Sequence, residues 1–309
     1  MGNQVKTALL LAGMTMFLIF MGNILGGRQG MIIAFLLAVG MNFFSYWYSD
    51  KIVLRMYKAQ PVTAGQAPEL YAMVENIANR AGLPVPRAYI IPQETPNAFA
   101  TGRNPEHAVV AVTSGLLKLM SRDELEGVIA HEMAHVNNRD ILIGSIAATM
   151  AGAVMILASM ARWGAIFGGG RSDENGGGNI FMLIAMSIIA PMAAMIIQMA
   201  ISRSREYLAD ETGARFCGNP EGLARALEKL GAYSRRIPMQ AQPQTAHMFI
   251  VNPLSGKSLT RIFATHPPLE ERVARLRGTR YDPPRTDNPG GGRKSMQDEA
   301  RSMWDRLSR

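Results

Sequence analysis

The sequence predicts an α-helical membrane protein with four spans, carrying a mixed α+β domain assembled from two polar blocks. Three observations predict it. Four long stretches lack charge, the polar blocks show helical and strand periodicities, and cationic residues gather at one set of stretch ends.

Residues 7–27 hold no charge between Lys6 and Arg28, and residues 29–49 none between Arg28 and Asp50. Residues 141–161 are equally clean, as is the segment from Asn175 to Ser202, whose apolar part starts at Ile180. A bilayer core of about 30 Å needs about 20 apolar residues, so each stretch can span. The third and fourth are richer in Ala, Gly, Ser and Met and carry a weaker signal. A cleaved signal peptide is the alternative for the first, but only Lys6 precedes it and no Ala-x-Ala site follows. The short link around Gly26-Gly27-Arg28 forces an antiparallel hairpin. Between spans three and four, the glycine-rich run 168–178 reads as a flexible loop, and Pro191 should kink span four.

The net charge is +8, and its placement matters more than its size. If the polar blocks face the cytoplasm, Lys6, Lys51, Arg55, Lys58, Arg122, Arg139, Arg203, Arg205 and Arg215 lie inside. Only Arg28, Arg162 and Arg171 lie opposite, as the positive-inside rule expects. The basic balance therefore needs no nucleic-acid partner. A single cysteine, Cys217, rules out an internal disulfide and fits a reducing compartment.

The resulting order is a two-span hairpin (1–50), a polar block (51–140), a second hairpin (141–202), a second polar block (203–278) and a disordered tail (279–309). In the first block, Leu70, Met73, Val74, Ile77 and Ala78 recur at helical spacing, and Gly82-Leu83-Pro84 ends that helix. Three β-like runs follow at Ala88–Ile91, Asn97–Ala100 and Val109–Val112, with a turn at Asn104-Pro105. Ser121-x-x-Glu124 is a capping-box pattern opening a helix to about Val136. The second block reads as helices near 203–216, 220–233 and 269–277. The tail allows one short helix near Met303-Trp304.

His131-Glu132-Met133-Ala134-His135 has the H-E-x-x-H spacing. Residues i and i+4 share one helix face, so both imidazoles can reach one zinc ion. Glu132 faces the neighbouring side, where its carboxylate can take a proton from a water that the metal activates. Shuffling this composition yields the pattern in roughly 0.4% of chains, so its place on a capped helix counts. A catalytic zinc takes three protein ligands and leaves one position open. Glu206 and Asp210, also i and i+4, are candidates for the third ligand and for a group orienting a ligand histidine. With Arg203 and Arg205 adjacent, an ordinary charged helix face explains that spacing equally well. His135 precedes the third span by six residues and Glu206 follows the fourth. An antiparallel hairpin would return both to one membrane face. His107, in a turn, and His247, in a Gln- and Pro-rich loop, take no role.

The run from Ala111 to Asp140, with Glu124-Leu125-x-x-Val128-Ile129-Ala130-His131-Glu132-Met133-Ala134-His135, resembles the HtpX-type membrane metalloproteases. So does Ser204-Arg205-Glu206-Tyr207-x-Ala209-Asp210. The wider family includes the CAAX prenyl proteases, and four spans favour the HtpX branch. The resemblance covers roughly residues 1–280 and implies an α+β zincin-like (gluzincin) domain on the cytoplasmic side. It implies one zinc ion held by His131, His135 and Glu206, with Asp210 hydrogen-bonding a ligand histidine. It also implies that Thr265-His266-Pro267-Pro268 and Arg272 lie beside the zinc, where His266 or Arg272 could stabilise the oxyanion. Asn97-Ala98-Phe99-Ala100 resembles the family's edge strand, which pairs with an extended peptide, Asn97 contacting substrate backbone. The implied activity is cleavage of misfolded membrane proteins at a bacterial inner membrane. The rivals are a zinc-binding adaptor without activity and a membrane hydrolase for a non-peptide bond. An intact Glu132 disfavours the first, and an edge strand the second.

Overall fold

The structure is a computed structural model that describes residues 3–151, 203–236, 248–250 and 267–279. Helix α1 (Asn3–Met56) is broken at Gly26 and Gly27, where Gly27 takes a left-handed φ of 56°. The break folds the segment back on itself. Gly22 lies so close to Gly30 that a Cβ on Gly22 would sit 2.4 Å from the Gly30 carbonyl oxygen. Farther along, Asn42 Nδ2 donates to Thr15 Oγ1 at 2.8 Å, tying the arms through polar groups. Both arms, Val5–Asn23 and Gly26–Met56, are long and apolar enough to cross a membrane. Phe20, Ile33, Leu36, Phe43 and Phe44 stand exposed along them, a surface that needs lipid around it. The second arm continues seven residues beyond the apolar stretch, through Lys51 and Arg55.

Four strands form one sheet: β1 (Gln60–Pro61), β2 (Arg87–Ile91), β3 (Ala98–Thr101) and β4 (Val109–Thr113), in the order β1-β2-β4-β3. Central β4 runs parallel to β2 and antiparallel to β3, and all five of its residues are buried. The β-branched run Val109-Val110-Ala111-Val112-Thr113 suits a strand covered on both faces. On one face, Val110 and Val112 pack with α2 (Pro68–Ala81) and with the helices that follow the sheet. On the other, Val109, Ala111 and Phe99 pack with Val53, Leu54 and Tyr57 from the end of α1. The sheet is thus the joint between membrane hairpin and polar domain.

Helix α2 has Pro68 in its first turn and ends at Gly82 in the left-handed region (φ 64°). Helix α3 (Ser114–Leu119) starts directly after β4, capped by Thr113 Oγ1 accepting from the Leu116 N–H at 3.1 Å. In α4 (Arg122–Asn137), the Ser121 N–H donates to Glu124 Oε2 at 2.8 Å, as the capping pattern predicts. Helix α5 (Ile141–Ala151) is the described part of the third stretch, and its Ile143, Ile146, Ala147 and Met150 pack on Leu10 and Met14 of the first arm. Helices α6 (Arg203–Cys217), α7 (Glu221–Arg236) and α8 (Leu269–Leu276) complete the order. The rest of span three, span four, the glycine-rich loop, Pro191 and the tail with its expected short helix lie outside the described residues, as do His247 and His266.

The helices that follow the sheet form a tight cluster. A Cβ on Gly127 of α4 would fall 2.4 Å from the Leu223 amide nitrogen, and one on Gly213 of α6 would fall 2.9 Å from that of His131. Backbone therefore meets backbone at both crossings. Gly213 places α6 directly against the turn of α4 that carries His131.

Candidate active site

Helix α4 buries His131 and Glu132, while His135 is partly buried. The two imidazoles sit one turn apart, and their Nε2 atoms approach to 3.2 Å. Glu206, in the first turn of α6, reaches the same point. Its Oε1 is 3.7 Å from His135 Nε2, and its Oε2 is 3.8 Å from His131 Nε2. The fold therefore brings the two motifs together.

Each imidazole is fixed from behind by a different carboxylate. His131 Nδ1 lies 2.9 Å from Asp210 Oδ1, one turn after Glu206 on α6. His135 Nδ1 lies 3.1 Å from Asp140 Oδ1, just ahead of α5. These contacts hold the Nδ1 protons, so both Nε2 atoms face Glu206, the orientation in which a metal could take them. Asp140 escapes sequence reading because an acid heading an apolar stretch looks like a span boundary. Its signal was the spacing of five residues from His135.

The donor set suits a small divalent ion. Ligands of a tetrahedral ion at about 2.0–2.1 Å stand about 3.3 Å apart, near the distances seen among these three side chains. Two imidazole nitrogens and one carboxylate oxygen, all within 4.8 Å of one another, are a nitrogen–oxygen set for such a metal.

Glu132 points to the other side, toward the sheet. Its Oε2 accepts the backbone N–H of Ala100 in β3 at 2.9 Å. Burial pushes the Glu132 carboxyl above the usual carboxylate range, against His131, His135 and the Ala100 N–H, which favour the charged form. Burial opposes the charged His135 ring, but Asp140, Glu206 and Glu132 outweigh it and push the pKa up to about 10. Burial likewise opposes a charged Asp210, and Arg272 with His131 outweighs it and holds the carboxyl low.

Arg272 of α8 is fully buried, 0% exposed. Its fork grips Asp210, Nε to Oδ2 at 2.8 Å and Nη2 to Oδ1 at 2.7 Å. Nη1 donates to the Ile250 carbonyl at 3.2 Å and lies 3.5 Å from Glu206 Oε2. Arg272 thus meets the site through Glu206 and Asp210 of α6, and its Nη2 also lies 3.4 Å from His131 Nε2.

Strand β3 is an edge strand, paired only with β4 among the described residues. The Thr113 N–H donates to the Asn97 carbonyl, so alternate residues Ala98 and Ala100 turn their peptide groups outward, toward Glu132. The Phe99 side chain turns the other way, 5.4 Å from the Tyr57 ring, into the core. Asn97 is engaged by the chain itself. Its Oδ1 accepts from the Ile250 N–H at 3.2 Å, and its Nδ2 lies 3.5 Å from the Met248 carbonyl. Asn97 does contact backbone, but in this structure it is the turn at residues 248–250 of the chain itself. His107 bonds Arg103 and Asn104 in its turn, away from the site.

Fold and site together define a membrane metallopeptidase. Residues 64–280 match the family model described as peptidase family M48. The chain is 64% identical to a protease HtpX homolog of Desulfatibacillum aliphaticivorans, over 99% of this chain and all of that one. It is 61% identical to one of Syntrophobacter fumaroxidans, over 90% of this chain and 99% of the relative, and 56% identical to one of Pyrococcus furiosus, over 89% and 96%. The crystal structure of S. mikatae Ste24p shares the fold at a TM-score of 0.50 and 18% identity, over 89% of this chain. The chain spans only 64% of the Ste24p length. The chain therefore belongs to peptidase family M48 and is a metalloendopeptidase.

Proposed function

We propose that this chain is a zinc-dependent endopeptidase of a bacterial inner membrane that cuts misfolded membrane proteins from the cytoplasmic side. One zinc ion per chain would be held by His131, His135 and Glu206. When bound, it polarises the scissile carbonyl and lowers the pKa of a water to about 7. Glu132 takes the proton of the attacking water and passes it to the leaving amine. Its raised pKa suits a carboxyl that must carry a proton between steps. Asp210 and Asp140 keep both imidazoles in the ligating tautomer. The outward peptide groups of Ala98 and the Ala100 carbonyl pair with an extended substrate, and the Ala100 N–H joins them once Glu132 turns to the water. Strand addition reads a backbone whatever its side chains. Asn97 takes part once residues 248–250 yield to substrate. Arg272 acts by positioning Asp210 and Glu206, while His266 takes the oxyanion role. Residues 141–202 form the second hairpin, which returns α4 and α6 to one membrane face, and the positive-inside distribution supports the orientation.

The observation that carries this reading is the meeting of His131, His135 and Glu206 beside a general base that touches an open strand edge. Detergent-purified protein should degrade unfolded casein, stop after treatment with phenanthroline, and recover on adding zinc. An adaptor or a non-peptide hydrolase would leave casein and a membrane-protein substrate intact under all three conditions.

A further inference from the structure

A cavity of about 650 Å³ lies at the seam between the membrane hairpin and the polar domain, and the peptidase chemistry makes no use of it. Separate stretches of chain wall it: Thr7 at the start of the first arm, Tyr46 and Trp47 near the end of the second, Arg103 after β3, and Arg139 with Leu142 at the head of α5. Two features of this wall point to a ligand. It carries two guanidinium groups, and none of the described residues lining it is acidic. Arg103 stacks on the Trp47 ring at 4.7 Å and lies 2.7 Å from His107 Nε2, with no carboxylate at ion-pair distance among the described residues. A guanidinium held against an indole face keeps most of its fork for a further acceptor.

The cavity's height on the hairpin narrows the ligand. Thr7 follows Lys6, where the first uncharged stretch begins, and Tyr46-Trp47-Tyr48 close the second just before Asp50 and Lys51. Tyr and Trp concentrate where hydrocarbon gives way to headgroups. Below them, Phe43 and Phe44 are exposed on the apolar surface. Cationic forks above, aromatic rings at the boundary and an apolar surface beneath match the order of phosphate, glycerol and acyl chain. The volume is in the range of small-molecule sites. Arg139 adds a structural oddity, a non-glycine residue in the left-handed region (φ 55°). Such strain gathers at functional positions, and the next residue is Asp140, which orients His135.

We propose that this cavity binds the phosphate headgroup of an anionic membrane lipid. Arg103 and Arg139 bond its oxygens, and Tyr46 and Trp47 pack on its glycerol and first acyl carbons. The site is separate from the peptidase centre and depends only on the hairpin lying in a bilayer.

Native mass spectrometry of the full chain in detergent tests this, titrating phosphatidylglycerol, phosphatidylcholine or inorganic phosphate. Wild type should bind phosphatidylglycerol at least about tenfold more tightly than phosphatidylcholine, the size expected for charge-assisted bonds to a desolvated anion. Arg103→Gln should remove that preference and Arg103→Lys should keep only part of it, since lysine carries the charge without the fork. Arg139→Gln serves as a second variant should Arg103→Gln not purify as a single species. Equal binding of the two lipids by wild type overturns the proposal, as does an undiminished preference in the glutamine variants. Displacement of phosphatidylglycerol by millimolar inorganic phosphate also overturns it, because the occupant would then be a soluble anion.

Discussion

Replacing Arg272 by methionine keeps most of the apolar stem and removes the guanidinium charge from a site with no exposure to solvent. Asp210 loses two charge-assisted bonds, of 2.8 and 2.7 Å, and the Ile250 carbonyl loses one of 3.2 Å. Asp210 itself is 3% exposed, so water cannot replace what it loses. Removing one partner of a buried pair costs about 3–5 kcal/mol, because the other charge stays behind uncompensated. For a chain of this size each kcal/mol moves Tm by about 2–4 °C, so the variant should melt about 6–20 °C below wild type. Differential scanning fluorimetry of detergent-solubilised protein, at one scan rate, measures this. Arg277 provides the comparison, since its ion pairs with Glu221 and Glu228 lie at the surface, and Arg277→Met should melt close to wild type. Adding Asp210→Leu to Arg272→Met should cost less than the sum of the single changes, because the orphaned charge is gone. Equal melting of Arg272→Met and Arg277→Met would refute the reasoning.

Asp140→Asn should weaken zinc binding about 10–100-fold, the usual effect of removing a ligand's hydrogen-bond partner, with competition against a chromophoric chelator as the assay. The same pair sets a pH dependence in the metal-free protein. The folded pKa of His135 is raised above the ordinary value of 6.5, so its stabilisation is full below about pH 6.5 and lost as pH rises toward about 10. Metal-free wild type should therefore lose Tm over that window, while Asp140→Asn shows a flatter profile, and parallel profiles would contradict the assignment. Gly213→Ala puts a methyl group 2.9 Å from the His131 amide nitrogen, so α6 must move off α4. Zinc affinity should fall along with Tm in this variant, and a change in Tm alone would show that the crossing does not set the ligand geometry.

Much of this arrangement was legible in the sequence, for reasons that differ by element. Helix α2 was readable because Leu70, Met73, Val74, Ile77 and Ala78 are its buried face and Gly82 its left-handed stop. Strand β4 was readable because a run of β-branched residues suits a strand buried on both sides. Strand β1 was not, since two exposed residues including Pro61 carry no alternation. Helix α3 was hidden behind β4, because its cap, Thr113, is also the last residue of that strand. The i, i+4 spacings placed His131 with His135, and Glu206 with Asp210, but could not show that the two helices meet. Nor could spacing show Asn97 holding Met248 and Ile250, about 150 residues downstream, or Arg272 gripping Asp210 across 62. Such contacts depend on tertiary packing, to which local patterns are blind.

Glu132→Gln tests the central claim most directly. The change leaves His131, His135 and Glu206 in place and swaps the proton-accepting carboxylate for an amide of the same shape. Zinc content and casein cleavage should be measured on the same detergent-purified sample, beside wild type. The account predicts one zinc per chain in both proteins and cleavage by wild type alone, with at least about a hundredfold loss in the variant. Zinc-loaded Glu132→Gln that cuts casein at the wild-type rate would contradict it.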